Sequence, residues 1–345
     1  MGLPKDSNLY ITRKYKCGPS NQITDVEGIS VGHVTIDHPE QDVHTGVTAI
    51  LPHQGNLFQE KVMAGVSVIN GFGKSAGLVQ VEELGTIESP IIMTNTLSVG
   101  TALTASVKYM LERNEDIGVK TGTVNCIVTE CNDGSLSDIR GLFVTEQDVL
   151  DALANAELAG QEQTGLEEGA IGAGRGMKCM GLKGGIGSAS RIIPCDGQDY
   201  TLGALVLSNF GVKGNLRIDG ALVDMDRAYA EEKGSIIIIL ATDIPLSERQ
   251  LKRVAKRATV GLARVGSYLG NGSGDIAIAF TTANKVPHYN ESDILDIRMF
   301  ADSAIDKVFE ATAEAVEEAV ISSLWHAEGM TGIRGKAVKG LREIL

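Results

Sequence analysis

The sequence predicts an α/β fold, and three observations carry that reading. Short runs of continuous apolar, β-branched residues recur, Ile236-Ile237-Ile238-Ile239-Leu240 being the clearest, and such runs bounded by turn residues read as fully buried strands. Longer segments with apolar residues at helical spacing alternate with them. No Pro-rich, Ser-rich or charged linker interrupts the alternation, so the 345 residues read as one unit spanning 1–345, although that length would allow two domains.

In chain order, the first predicted strands are the apolar runs Gly46 to Leu51 and Val66 to Asn70, followed by a helix from Ser75 to Glu83. The strand Ile91 to Asn95 feeds a helix from Leu97 to Arg113, and the strand Val124 to Glu130 precedes a helix from Thr145 to Leu158. The run Gly203 to Asn209 is a further strand. After the strand Ser235 to Asp243 comes a helix from Ser247 to Ser267, with Ser247 as its cap and Glu248 in its first turn. The strand Asp275 to Ala283 and a long helix from Met299 to His326 complete the series. Strands apolar on both faces must be covered on both sides, so helix layers enclose the sheet material. The pattern alone fits a doubly wound sheet as well as stacked sheets.

Composition excludes several function classes. The 43% hydrophobic content fills a substantial core, and the 41 glycines are scattered through turns, not gathered in a low-complexity tract. A net charge of -13, with no basic stripe interleaved with aromatics, opposes a nucleic-acid partner. The five cysteines are odd in number and form no C-x-x-C pair, which argues against a disulfide framework or a structural zinc site and fits a reducing cytoplasm. The N-terminal stretch MGLPKDSNLYITRK lacks an apolar h-region and no run is long enough to span a bilayer, so no export and no membrane partner are expected.

The candidate chemistry centres on Lys233-Gly234-Ser235 at the lip of the buried run. A cut between Gly234 and Ser235 would give Ser235 a hydroxyl and a free α-amine on one residue, a nucleophile with its own candidate base; such an amine has a pKa of roughly 7.7 to 8.0. Glycine on the acyl side helps, because without a Cβ it takes backbone angles that expose its carbonyl. The strand after Ser235, the helix after Ser247 and the strand at Gly274-Asp275 have the length of a β-α-β crossover. If those strands lie parallel side by side, Ser273 and Asp275 fall near Ser235, where a hydroxyl and a carboxylate could relay and hold a proton. Asn209, ending its strand, is a candidate oxyanion donor, and Glu130, ending another, could pair with the ammonium of a free substrate N-terminus.

Rival signals are weaker. Gly71-Phe72-Gly73-Lys74-Ser75-Ala76 has the spacing of a dinucleotide fingerprint, but no acidic residue closes the next strand, and the glycine a P-loop needs before Gly73-Lys74-Ser75 is Val68. His33, Asp37, His38, His44 and His53 lack metal-site spacing and the four histidines read as solvated loop residues, so no metal and no cofactor are expected.

Eight blocks in one order resemble the DmpA family of L-aminopeptidase/D-esterases and β-peptidyl aminopeptidases. They are NQITDVEGISVGHVTI from Asn21, TGVTAILPH from Thr45, VINGFGKSAGLVQVEELGTIESPIIMTNTLSVGTAL from Val68, ECNDGSLSDIRG from Glu130, GAIGAGRGMKCMGLKGGIGSASR from Gly169, GALVLSNFG from Gly203, KGSIIIILATDIPL from Lys233 and NGSGDIAIAFTTAN from Asn271. The resemblance implies an αββα fold of two stacked β-sheets sandwiched between helix layers. It also implies self-cleavage into chains 1–234 and 235–345, and an N-terminal Ser235 as catalytic nucleophile. Ser273 and Asp275 match the serine and the acidic residue of the family's catalytic set, some members carrying Glu in place of Asp275. Asn209 matches the oxyanion residue and Glu130 the amine-binding glutamate. An aromatic residue that some members carry shortly after that glutamate is absent from Asn132-Asp133-Gly134-Ser135. The implied substrates are small peptides, amides or esters, and the implied assembly is a homo-oligomer such as a tetramer. The alternatives are an acyltransferase on the related ornithine acetyltransferase-like fold, where threonine usually replaces the serine, and an inactive member kept for assembly.

Overall fold

Strand alternation in the computed structural model, which describes residues 11–345, sends successive residues of the long isoleucine run to two different cores. Ile236, Ile238 and Leu240 pack with one cluster, while Ile237 and Ile239 pack with another, as the two-residue period of a strand requires. A strand greasy on both faces therefore has a separate layer on each side.

The chain begins with the hairpin β1 (Ser30–His38) and β2 (Val43–Leu51), followed by β3 (Glu60–Val68), the short helix α1 (Leu78–Leu84), β4 (Thr86–Ile87) and β5 (Ile91–Asn95). Next come α2 (Val99–Arg113), β6 (Ile127–Cys131), α3 (Glu146–Glu162), the short β7 (Lys178–Cys179) and β8 (Leu182–Lys183), and a long hairpin of β9 (Gly185–Cys195) and β10 (Gln198–Asn209). The last part runs β11 (Arg217–Ile218), β12 (Ala221–Leu222), β13 (Lys233–Thr242), α4 (Glu248–Arg264), β14 (Gly272–Pro287), α5 (Asp306–His326), β15 (Met330–Gly332) and β16 (Lys336–Val338).

Two sheets dominate, one of four strands in the order β1-β2-β5-β6 and one of six in the order β4-β3-β14-β13-β10-β9. Ile50, Ile91, Met93 and Ile127 of the first face Leu205, Leu207, Ile237, Ile239 and Ile278 of the second across an apolar inter-sheet core. The outer face of the six-stranded sheet packs Ile238, Leu240 and Ala279 against Val254 and Ala258 of α4 and Val316 and Val320 of α5. On the far side, Ala49, Ile92 and Val128 pack against Ala102 and Ala105 of α2 and Val149 and Ala152 of α3. The layers read helix, sheet, sheet, helix, so stacked sheets replace the doubly wound alternative. Each fully buried aliphatic of β13 contributes about 1.5–3 kcal/mol, which pins this strand in the middle of the molecule.

The parallel pair β13 and β14, joined through α4, is the predicted crossover. Ser247 caps α4 by accepting from the Gln250 N–H at 3.3 Å. Thr145 caps α3 in the same manner, and that helix runs on to Glu162, beyond the expected Leu158. Other boundaries differ from expectation for physical reasons. The long C-terminal helix starts at Asp306, not Met299, because a one-turn segment at Asp302–Ala304 precedes it. The helix expected from Ser75 begins at Leu78, after Gly77 with φ 82°, so Gly71 to Ala76 form a loop and no phosphate-cradling turn follows β3 directly. The histidines are not uniformly solvated loop residues. His33 and His44 lie in strands, and buried His44 pairs its Nδ1 with Asp37 at 2.6 Å. His33, desolvated, has its pKa pushed down to about 4. Among the described residues no helix is long and apolar enough to cross a membrane. The first ten residues of the stretch read for a leader lie outside the described residues.

Candidate active site

The antiparallel pairing of β10 with β13 sets Asn209 directly opposite Ser235, both at the ends of the paired stretch. Side chains opposite each other share a face. Here that face is the inter-sheet one, since Leu207 and Ile237, two residues along, belong to the inter-sheet core. Both residues line a cavity of about 460 Å³ that also receives Glu130, Phe72, Lys74 and Thr96. Ser235 is 3% exposed, and its hydroxyl is buried with no hydrogen-bond partner. In the intact chain the nitrogen that could serve it as a base is still an amide.

The residue before it is under a geometric constraint that only glycine meets. Gly234 has φ 127°, and a Cβ built there would stand 2.0 Å from the Asn209 carbonyl oxygen. The Gly234–Ser235 peptide bond therefore lies tight against the end of β10, beside the amide that could polarise it.

Asn209 is oriented at both ends of its amide. Oδ1 accepts from the Lys178 N–H at 3.0 Å and Nδ2 donates to the Asn132 carbonyl at 2.9 Å. An N–H partner on one atom and a carbonyl on the other fix which is oxygen and which is nitrogen, and leave one Nδ2 hydrogen uncommitted.

Ser273 and Asp275 flank Gly274, the parallel-strand partner of Ser235. The Ser273 hydroxyl donates to Asp275 Oδ1 at 2.5 Å, and Asn70 Nδ2 donates to Oδ2 at 3.0 Å. By alternation these two side chains project from the opposite face to the Ser235 hydroxyl, with Ala277 and Ala279. They border the backbone end of Ser235, where a new α-amine would form, and not its Oγ. Burial pulls the Asp275 carboxyl above its ordinary pKa, and the bonds from Ser273 and Asn70 work against that rise.

Glu130 is 2% exposed at the end of β6. Oε1 accepts from the Lys74 N–H at 2.8 Å and Oε2 accepts from the Thr96 hydroxyl. Each oxygen keeps a second lone pair for an incoming cation. The loop Phe72-Gly73 that supplies Lys74 crosses directly over Gly274, where a Cβ would meet the Gly73 nitrogen at 2.6 Å. The glycine-rich stretch with the spacing of a nucleotide fingerprint is thus a lid between Glu130 and the Ser235 strand. Sequence reasoning missed Asn70, Thr96, Asn132 and Lys178, two of which act through the main chain and so carry no side-chain signal. Among the described residues no group of three or more His, Cys, Asp and Glu is arranged to hold a metal.

Comparison with known proteins places this geometry in context. A family model described as Peptidase family S58 matches residues 21–338. Beta-peptidyl aminopeptidase BapA of Sphingosinicella microcystinivorans is 35% identical, covering 98% of this chain and 89% of the relative. The crystal structure of the PH0078 protein from Pyrococcus horikoshii OT3 superposes with a TM-score of 0.90 at 52% identity, covering 97% of this chain and 94% of that one. The L-aminopeptidase D-Ala-esterase/amidase from Ochrobactrum anthropi, described as a prototype for the serine aminopeptidases and a variant of the Ntn hydrolase fold, gives a TM-score of 0.86 at 38% identity over 96% of this chain and 93% of its own.

Proposed function

This chain belongs to peptidase family S58, and from that premise we propose that it is a serine aminopeptidase that activates itself by cutting between Gly234 and Ser235 and then hydrolyses the N-terminal amide, ester or peptide bond of small substrates. The observation that carries the reading is the direct pairing of Asn209 with Ser235 on the cavity face, next to a glycine that no other residue could replace.

Maturation begins when Ser235 Oγ adds to the Gly234 carbonyl carbon. The C–N bond breaks, the hydroxyl proton goes to the nitrogen, and an ester between Gly234 and Oγ remains. The amine is freed when the C–N bond breaks, and water then hydrolyses the ester to a Gly234 carboxylate and the free Ser235 hydroxyl, leaving chains 1–234 and 235–345. In turnover the neutral α-amine takes the Oγ proton as Oγ attacks the substrate carbonyl. The uncommitted Asn209 N–H faces the developing oxyanion, a contact commonly worth a few kcal/mol. The amine then protonates the leaving group, and water releases the acyl group by the same route. Ser273 accepts from the α-amine while donating to Asp275, which holds the amine in place. Glu130 pairs with the substrate ammonium and gives the preference for a free N-terminus.

The resemblance further supports a homo-oligomer, with a tetramer as the working number, and five free cysteines support a reducing cytoplasm. The test of the activity is hydrolysis of an alanine anilide against its N-acetyl counterpart, in the wild type and in Glu130→Gln. Steady hydrolysis confined to the free amine in the wild type, with that discrimination lost in the variant, supports the reading. Equal hydrolysis of both by the wild type overturns it.

A further inference from the structure

The same cavity carries an unbalanced positive charge that neither the nucleophile nor the amine site requires. Four lysines line it, and three of them are occupied. Lys74 lies over the Phe72 ring at 4.5 Å and donates to the Phe72 carbonyl. Lys213 pairs with Asp226 at 3.7 Å, and Lys233 pairs with Glu231 at 3.3 Å. Lys178 is different. It is half-buried, and among the described residues no carboxylate lies within salt-bridge distance of its ammonium; burial and the like charge of Lys336 hold its pKa below the ordinary lysine value. A half-buried cation with a cationic neighbour and no anion loses hydration without compensation, an arrangement that a bound anion relieves.

The position of Lys178 indicates which anion. Its backbone N–H holds the Asn209 amide, so it stands on the oxyanion side of the nucleophile. Glu130 is reserved for the other end of the substrate. Resting on the aminopeptidase reading above, we infer that Lys178 binds the free α-carboxylate of a dipeptide, so that the preferred substrates are short peptides with both termini free. An extended dipeptide spans at most about 7 Å, and a cavity of about 460 Å³ accommodates one. With Glu130 on the ammonium and Lys178 on the carboxylate, the two ends fix the single peptide bond over Ser235. Longer peptides lose the second contact.

The experiment compares kcat/KM for Ala-Ala, Ala-Ala-amide and Ala-Asp-amide on matured protein. The wild type should prefer Ala-Ala over its amide by about tenfold or more, through KM, the size expected for one charge-assisted hydrogen bond. Lys178→Gln should collapse that acid-to-amide ratio and Lys178→Arg should restore most of it. No preference in the wild type, or a preference that survives in Lys178→Gln, overturns the inference. Preference for Ala-Asp-amide over Ala-Ala-amide without preference for Ala-Ala also overturns it, moving the carboxylate to a side chain. Should Lys178→Gln fail to mature, Lys178→Met carries the same comparison, and a wild type without acid preference overturns the inference on its own. Hydrolysis of none of the three by the wild type would instead remove the aminopeptidase reading itself.

Discussion

Asn209 and Ser235 stand opposite each other as cross-strand partners at the end of the β10–β13 pairing, with their side chains on the same, cavity-lining face. Both residues, the proposed oxyanion donor and the proposed nucleophile, are thereby placed by backbone register and not by loop conformation. Ser235 follows directly on a tight spot, since the Asn209 carbonyl is what excludes a side chain at Gly234.

If Asn209 Nδ2 stabilises the oxyanion, Asn209→Ala in matured protein should lower kcat by about 10²–10³ with little change in KM. Asn209→Asp should fall similarly, because a carboxylate has no hydrogen to donate. Single-turnover and steady-state rates on an amino-acid anilide check this. A kcat within a fewfold of wild type would remove Asn209 from the chemistry.

Gly234→Ala should stop or greatly slow maturation. The added methyl meets the Asn209 oxygen at 2.0 Å, and φ 127° is closed to alanine, so the strand end must shift the scissile carbonyl. Gly122→Ala is the control, because a methyl placed there meets nothing within 4 Å. A time course of the full-length band should show the control processed as wild type and the Gly234 variant uncut.

The Asp275 prediction is one of pH. The α-amine must be neutral to accept the Oγ proton, so activity should rise with pH through the amine's pKa. A nearby carboxylate favours the ammonium form and raises that pKa. Asp275→Asn should therefore shift the rise of kcat/KM to lower pH and reduce its plateau, measured on protein whose Ser235 N-terminus has been confirmed by sequencing. An unmoved midpoint together with an unmoved plateau would exclude this carboxylate.

How far the sequence discloses this arrangement depends on the kind of contact. The isoleucine run of β13 and the Ser247 cap of α4 are written in side-chain pattern, and the β-α-β spacing brings Ser273 and Asp275 to the same sheet end as Ser235. The long hairpin of β9 and β10 is half invisible, because β9 (GIGSASRIIPC) is built of small and polar residues that satisfy one another across strands, as Ser188 Oγ does by donating to the Ala204 carbonyl at 2.7 Å. The face on which Asp275 lies is equally hidden, since it follows from register and not from spacing. Asn132 and Lys178 position Asn209 with main-chain groups, for which side-chain identity is immaterial apart from proline at the donating position 178.

Self-cleavage is decided by the intact mass of purified, active protein beside that of Ser235→Ala. Two species are expected, with masses matching residues 1–234 and 235–345 and serine at the new N-terminus, and a single uncut, inactive chain for the variant. A single full-length species that hydrolyses amino-acid anilides, or a Ser235→Ala variant that is still cut or still active, would contradict it.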